Sequence, residues 1–397
     1  MASETDRTNA QIHEAAPRGT RPRNRRAQIR AAAVTLFYER GYEQVSVADV
    51  AESVNVGPSA LYRHFSGKAD LLFEAIDETV NAFAAMVADL PSRDLDGIAL
   101  TAARTAIAYR PLGVLWQRES RNLSEEQRNV LRKHLRNAVL ALADTLREIR
   151  PELEPDQAEF LAAAGVNAMS SISFHRIALP ADEFEQVLAD LALRVLSFPF
   201  RSASATEPAH AVLPTPATRR DEIADAAAAL FARHGYDAVG VDDIGAAVGI
   251  AGPSIYNHFL SKQDLLFSSL GRGYAMLQDA LADALETNAP ADVVLRRVTD
   301  SFVDLAHDRS DLVTNLIAES RSLGEEHQDV VQRAQLGYIS QWVALLREQR
   351  PEEDPTVSRL KVQAAQMLAN SMCRTRYLRD RPGFRRDLAD ICFLLQG

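Results

Sequence analysis

Residues 25–72 and 219–266 are two versions of one segment. Aligned without a gap they share 20 identical pairs in 48, where unrelated segments of ordinary composition would share about three. The matches include Gly41-Tyr42 with Gly235-Tyr236, and Tyr62, His64, Phe65 and Lys68 with Tyr256, His258, Phe259 and Lys262. At an offset of 200, Glu119-Ser120-Arg121 recurs as Glu319-Ser320-Arg321, and Arg150-Pro151-Glu152 as Arg350-Pro351-Glu352. A period of this size is too long for a solenoid repeat and fits duplicated whole domains. The expectation is a fused pair of duplicated domains.

With 397 residues there is room for both cores. No apolar run approaches the roughly 20 residues that span a bilayer, and only Cys373 and Cys392 are present. A cytoplasmic, nucleoid-associated protein without membrane contact is the expectation. The net charge of −10 argues against a polyanion partner until its distribution is seen. Between Arg18 and Lys68 nine basic residues face four acids, a local balance of +5. Between Pro214 and Lys262 four basic residues face six acids, a balance of −2. A nucleic acid responds to the cluster, not to the total.

Helical spacing dominates the pattern and no alternating strand is evident, so the predicted fold class is all-α. Ile29, Ala33, Leu36 and Phe37 share one helix face, and Gly41 stops that helix. Ser46 is placed to cap a short helix through Val54, Asn55-Val56-Gly57 turns the chain, and Pro58 opens a helix to about Phe65. A longer helix over 68–90 follows, then helices near 94–108, 112–121, 124–149, 156–177 and 182–197, with prolines near the breaks. The series restarts after the segment 198–218, whose four prolines among Ser, Thr and Ala predict a linker. The predicted organisation is a disordered tail (1–20), a first three-helix module (21–72) and its helical bundle (73–197). The linker (198–218), a second module (219–266) and a second bundle (267–397) complete it.

Three short helices with a tight turn before the third make a helix-turn-helix, whose last helix can enter a major groove. The residues resemble the TetR family of bacterial transcriptional regulators: Gly41-Tyr42, Ser46-Val47-Ala48-Asp49-Val50-Ala51, Leu61-Tyr62-Arg63-His64-Phe65 and Lys68-Ala69-Asp70-Leu71-Leu72. The second copy reads Gly235-Tyr236, Gly240-Val241-Asp242-Asp243-Ile244-Gly245, Ile255-Tyr256-Asn257-His258-Phe259 and Lys262-Gln263-Asp264-Leu265-Leu266. The resemblance implies that double-stranded operator DNA is the partner and that Tyr62, His64, Lys68, Tyr256, His258 and Lys262 hold phosphates. It places Pro58, Ser59, Ala60 and Arg63, and Gly252, Pro253, Ser254 and Asn257, on the outward faces of the two recognition helices. There Arg63 suits guanine edges and Asn257 adenine. Ser46 is expected at a phosphate, and Arg21, Arg23, Arg25, Arg26, Arg219 and Arg220 precede the first helix of each module, within reach of phosphates or a minor groove. Leu61, Phe65 and Phe37 belong to the core.

The second copy departs from the first in two ways. Gly240 replaces the capping Ser46, and Asp242 replaces Ala48 beside Asp243. Both changes weaken attraction to phosphate and favour the first module as the anchor.

The resemblance also implies dimerisation through the last two long helices of each bundle, here about 156–177 with 182–197 and 354–377 with 383–396. Their small residues (Ala162-Ala163-Ala164-Gly165 and Ala364-Ala365 among them) permit close helix approach. With both partners on one chain and a linker of about 20 residues, pairing within the chain should outcompete pairing between chains, giving a monomeric pseudo-dimer. Candidate effector-pocket residues are Trp116, Phe160, Met169 and Phe174 in the first bundle and Phe302, Tyr338, Trp342, Met367 and Met372 in the second. Aromatic and Met positions at such spacing also suit plain core. The tandem layout resembles the repressor type of actinobacterial mammalian-cell-entry (mce) operons, which implies a small hydrophobic effector of lipid, steroid or acyl-CoA type. The Glu-Ser-Arg repeat fits a charge pair bracing a helix corner, with an arginine aimed at an acidic ligand as the alternative.

No metal-protease, P-loop, nucleophile-elbow or Cys-x-x-Cys motif occurs, so no enzyme and no cofactor are predicted. His307 near Asp304 and Asp311 fits a solvated charged face better than a metal site. The predicted function is a ligand-released repressor with two non-identical reading modules on an asymmetric operator. An effector-independent architectural protein and an activator are the alternatives.

Overall fold

The computed structural model describes residues 25–90, 94–200, 218–287 and 289–397, and within them every regular element is helical. In the first copy α1 (Arg25–Arg40), α2 (Val47–Ser53) and α3 (Pro58–Leu61) are followed by α4 (Lys68–Ala88), α5 (Leu95–Ala108) and α6 (Leu112–Gln117). Then come α7 (Glu125–Ile149), α8 (Pro155–Ser170) and α9 (Ala181–Leu196). The second copy repeats the series as α10 (Arg219–His234), α11 (Val241–Ala247), α12 (Lys262–Leu285), α13 (Ala291–Asp308), α14 (Ser310–Ala318), α15 (Glu325–Gln349) and α16 (Pro355–Arg374). A short α17 (Arg376–Arg379) and α18 (Phe384–Gln396) complete it, and a 3₁₀ turn, Gly252–Asn257, stands where α3 stands in the first copy.

The described residues fall into two compact units, one of 25–90 with 105–142, the other of 94–104 with 143–397. In the first unit Ile29, Ala33 and Phe37 of α1, Leu61, Phe65 and Leu71-Leu72 join Leu115 and Leu131 in one buried cluster. The helical spacing on α1 thus becomes a core face shared by α1–α3 and the helices above them.

The second unit contains a helix contact that the duplication makes possible. α8 and α9 of the first copy pack against α16 and α18 of the second, and α8 packs on α9 as α16 does on α18. Small buried residues line both central helices: Ala162, Ala163, Ala164 and Gly165 on α8, Ala364, Ala365 and Ala369 on α16. The Asn167 amide reaches Met372 Sδ at 3.6 Å across the seam. Arg381 joins the copies most firmly. Its guanidinium donates to Asp156 at 3.0 Å and to the buried Asp387 at 2.6 Å, and lies over the rings of Phe160 and Phe200, 4.9 Å from each centroid. Phe200, at the start of the predicted linker, packs with Phe160 and with Phe198. The rest of the linker, residues 201–217, and the tail 1–20 lie outside the described residues. Cys373 and Cys392 are both buried in this unit, and burial pushes the Cys373 thiol up to about 12.

Each module is tied to its own bundle with opposite polarity. In the first copy Arg26 and Arg30 of α1 pair with Glu74 and Glu78 of α4. In the second, Asp221 and Asp225 of α10 pair with Arg272 of α12, and Asp225 also with Arg309. Pairs that stay partly open to solvent, as these do, contribute little stability each. Exchanging the first helices between copies would set Arg against Arg and Asp against Glu, so the reversal disfavours mispacking of the duplicated domains.

Candidate nucleic-acid interface

The local geometry of the two modules follows from a few residues. Gly41 and Gly235 end the first helix at φ +87° and +85°, conformations that a side chain resists. The tight turn before the recognition segment passes through Asn55 at φ +55° and Gly249 at φ +71°, the same position in each copy. Ser46 caps α2 with a complete capping box: its Oγ accepts from Asp49 N–H at 3.1 Å, while Asp49 accepts from Ser46 N–H at 2.7 Å. Gly240 has no side chain to offer, yet Asp243 still accepts its N–H at 2.8 Å, so half of the box survives.

The recognition segment is shorter than the sequence predicts. α3 ends at Leu61 and does not run on to Phe65. Beyond Leu61, Arg63 N–H bonds to Ala60 O at 3.3 Å and His64 N–H to Leu61 O at 2.8 Å, a tighter winding that brings Phe65 into the core. Pro58, Ser59, Tyr62 and Arg63 are exposed on this segment, with Ala60 and His64 half-buried. In the second copy Pro253, Tyr256 and Asn257 are exposed, Ser254 and His258 half-buried, and Gly252 buried. Tyr62 is 57% exposed and Tyr256 51%, too open for a packing role alone, so each phenol is presented outward.

Lys68 and Lys262 lie over the rings of Tyr42 and Tyr236, 4.0 and 4.2 Å from the centroids. Burial of these ammonium groups lowers both below the ordinary lysine value. The arginines at the head of each module have internal partners as well. Arg25 donates to Val54 O at 3.2 Å and Arg219 to Val248 O at 2.5 Å, the equivalent carbonyl at the end of the second helix. Arg26 lies over Phe65 and pairs with Glu74, while Arg220 lies over Phe259 and bonds to His258 O. The structure thus gives these four guanidiniums a bracing function that sequence reasoning missed; their recurrence at one offset was the available signal. Arg21 and Arg23 lie outside the described residues.

Residues 29–75 and 223–268 each match the family model described as bacterial regulatory proteins, tetR family. The two matched segments stand in tandem, 194 residues apart. The HTH-type transcriptional activator FasR of Mycolicibacterium smegmatis is 34% identical over 91 residues, 23% of this chain and 42% of that protein. The HTH-type transcriptional repressor KstR2 of the same organism is 29% identical over 134 residues, 34% of this chain and 65% of that one. The chain therefore spans less than two thirds of these relatives. Among solved structures, the ketosteroid transcriptional regulator KstR2 of Mycobacterium tuberculosis aligns at a TM-score of 0.40 and 21% identity, over 46% of this chain and 94% of that one.

In both copies a buried glutamate ties the first three-helix segment to the helices above it. Glu119 accepts the Tyr42 N–H at 3.0 Å and the Arg118 Nε at 2.5 Å; Glu319, fully buried, accepts the Tyr236 N–H at 3.4 Å. The acid of the repeated Glu-Ser-Arg caps the turn that ends the first helix. Replacing Glu119 by Ala leaves that N–H and the buried Arg118 guanidinium unmatched, at a cost of about 3 kcal/mol. Urea unfolding of the variant tests this: a shift below about 0.5 kcal/mol would leave the glutamate without a bracing role.

The proposed pocket residues separate. Trp116 packs against the core cluster of the first copy, and Phe160 stacks edge-on with Phe200 and Phe384 at the copy–copy seam. Met169 is buried on α8 and Phe174 half-buried beyond it. In the second bundle Trp342 stands 5.7 Å from Phe302 and 5.8 Å from Tyr338, ring to ring, while Met367 and Met372 are buried on α16. Burial raises the Tyr338 hydroxyl far above the ordinary tyrosine value. His307 bonds to Asp308, whose carboxylate, with that of Asp304, is held by Arg385. Asp311 is held by Arg309.

Proposed function

We propose that this chain is a DNA-binding transcriptional repressor, released by a small hydrophobic effector, that reads an asymmetric operator as a monomeric pseudo-dimer. The recurrence, in two helix-turn-helix modules, of an outward tyrosine, a histidine and a lysine beside unlike reading residues carries this proposal. A phenol, an imidazole and an ammonium at a helix end position a protein on phosphates without reading sequence. Pro58, Ser59, Ala60 and Arg63 in one copy, against Gly252, Pro253, Ser254 and Asn257 in the other, supply two different readings.

An identical pair of recognition helices reads a palindrome. Here the half-sites should differ, with guanine opposite Arg63 and adenine opposite Asn257, each good pair worth about 1–3 kcal/mol of discrimination. Selection from random duplexes is the test. Two unlike half-sites are expected, with Arg63→Ala relaxing only one of them. Recovery of a perfect inverted repeat relaxed on both sides would show that the copies read DNA alike.

Support for an effector lies in the second bundle, where α13 and α15, which carry Phe302, Tyr338 and Trp342, pack on α16 with its buried Asn370, and α13 packs on α18 with its buried Gln396. Both amide atoms of Asn370, and Oε1 of Gln396, have no hydrogen-bond partner among the described residues. Unmet buried amides in a bundle that also buries aromatics suit a hydrophobic molecule carrying a polar group. Thermal-shift screening with steroid acids, fatty acids and acyl-CoA esters separates a ligand-released regulator from an effector-independent one. The cytoplasm is the proposed location; among the described residues no helix is long and apolar enough to cross a membrane.

A further inference from the structure

Three differences between the copies converge on one contact. Where the first module has Ala48, Ala51 and Pro58, the second has Asp242, Gly245 and Gly252. Ala48 and Ala51 lie on α2 and Pro58 opens α3; their counterparts lie on α11 and at the head of the 3₁₀ turn Gly252–Asn257. A Cβ added to Gly252 would overlap the Asp242 carboxylate and stand 2.9 Å from its Cα and Cγ. A Cβ on Gly245 would stand 2.7 Å from Ile250 O and 2.9 Å from Gly252 N. Real Cβ atoms do not approach backbone so closely, so the two glycines permit a backbone-to-backbone approach. Asp242 occupies the space that a residue-252 side chain would need.

We propose that Asp242, Gly245 and Gly252 are a specificity-determining contact that seats the second recognition segment closely against α11. In doing so it places an exposed carboxylate at the segment's leading end. The inference rests on reading the chain as a DNA-binding protein. A carboxylate there repels phosphate, which removes part of the sequence-independent attraction and leaves base contacts to decide whether the second module engages. The close seating winds the segment as 3₁₀ where the first copy forms an α turn, so its side chains meet the groove in a different register. The second module is then the weaker and more demanding half of the pair.

The test uses the full chain with a selected operator duplex and a shuffled duplex of equal length. Asp242→Asn keeps the side chain's volume and removes its charge. It should tighten binding to both duplexes about fivefold at 50 mM salt, with the gain fading toward 0.5 M and the ratio between duplexes falling. Unchanged affinity and salt slope on both duplexes would overturn the electrostatic half of the proposal. A double-mutant cycle by thermal unfolding tests the packing half without DNA. Gly252→Ala should cost much more in the wild type than in an Asp242→Ala background, and additive costs would overturn the contact. Failure of the wild-type chain to bind either duplex would refute the regulatory reading, and the unfolding cycle would still decide the contact.

Discussion

Replacing Tyr62 and His64 together by alanine should weaken operator binding about a hundredfold at 0.1 M salt, while the same change at Tyr256 and His258 should weaken it only about tenfold. The chemical groups removed are the same, and both tyrosines are more than half exposed. The field around them differs. The first module sits within a balance of +5 and the second within −2, counted over 18–68 and 214–262. Counterion release drives binding where phosphates are neutralised, so removing phosphate-holding groups from the basic module costs more. Fluorescence anisotropy across a salt series gives both the affinity and the slope. Neither double variant should change the slope by more than about one unit, because a phenol carries no charge and an imidazole at most one. Equal losses would mean that local charge does not rank the two modules.

Arg381→Ala should destabilise the fold by about 3 kcal/mol, the cost of removing one of the two arginines that hold a buried carboxylate. Asp387 is only 2% exposed and would retain Arg386 alone, at 3.1 Å. Asp156 would lose its partner from the other copy, and Phe160 and Phe200 the cation they both face. Arg381→Lys should recover only part of the loss, because an ammonium cannot span two carboxylates and lie flat between two rings. Chemical denaturation measures the change, and a loss under about 0.5 kcal/mol would mean that the seam is held elsewhere. Light scattering of the same samples reports on pairing. The wild type should scatter as one chain, and a weakened seam should favour exchange between chains, seen as two-chain species at high concentration. A stable two-chain wild type would argue against the monomeric pseudo-dimer.

The helices were legible because their determinants are local. The spacing of Ile29, Ala33 and Phe37, the stop at Gly41 and Gly235, and the Ser46 cap each act within one or two turns, and each is found where the residues place it. The small residues of α8 and α16 pointed to a seam for the same reason: close approach leaves a mark on composition. The length of the recognition segment was not legible. The pull of Phe65 into the core tightens the residues after Leu61, and that pull comes from helices distant in sequence.

The candidate side chains divide in the same way. Sequence identified the tyrosines, histidines and lysines that recur at one spacing. It could not show that Arg25 and Arg219 brace a helix-end carbonyl, or that Glu119 and Glu319 cap a turn about 80 residues earlier. Nor could it show that Ala48→Asp242 and Pro58→Gly252 are one change, since the residues meet only when two helices cross. By itself the sequence determined the duplicated all-α plan, the positions of turns and caps, and which module carries the positive charge, because periodicity, backbone preference and charge are read along the chain. Tertiary structure decided which charged groups turn inward as braces, how α8 and α9 meet α16 and α18, and how closely each recognition segment is seated. Those outcomes depend on burial and on partners far apart in sequence, which no local pattern specifies.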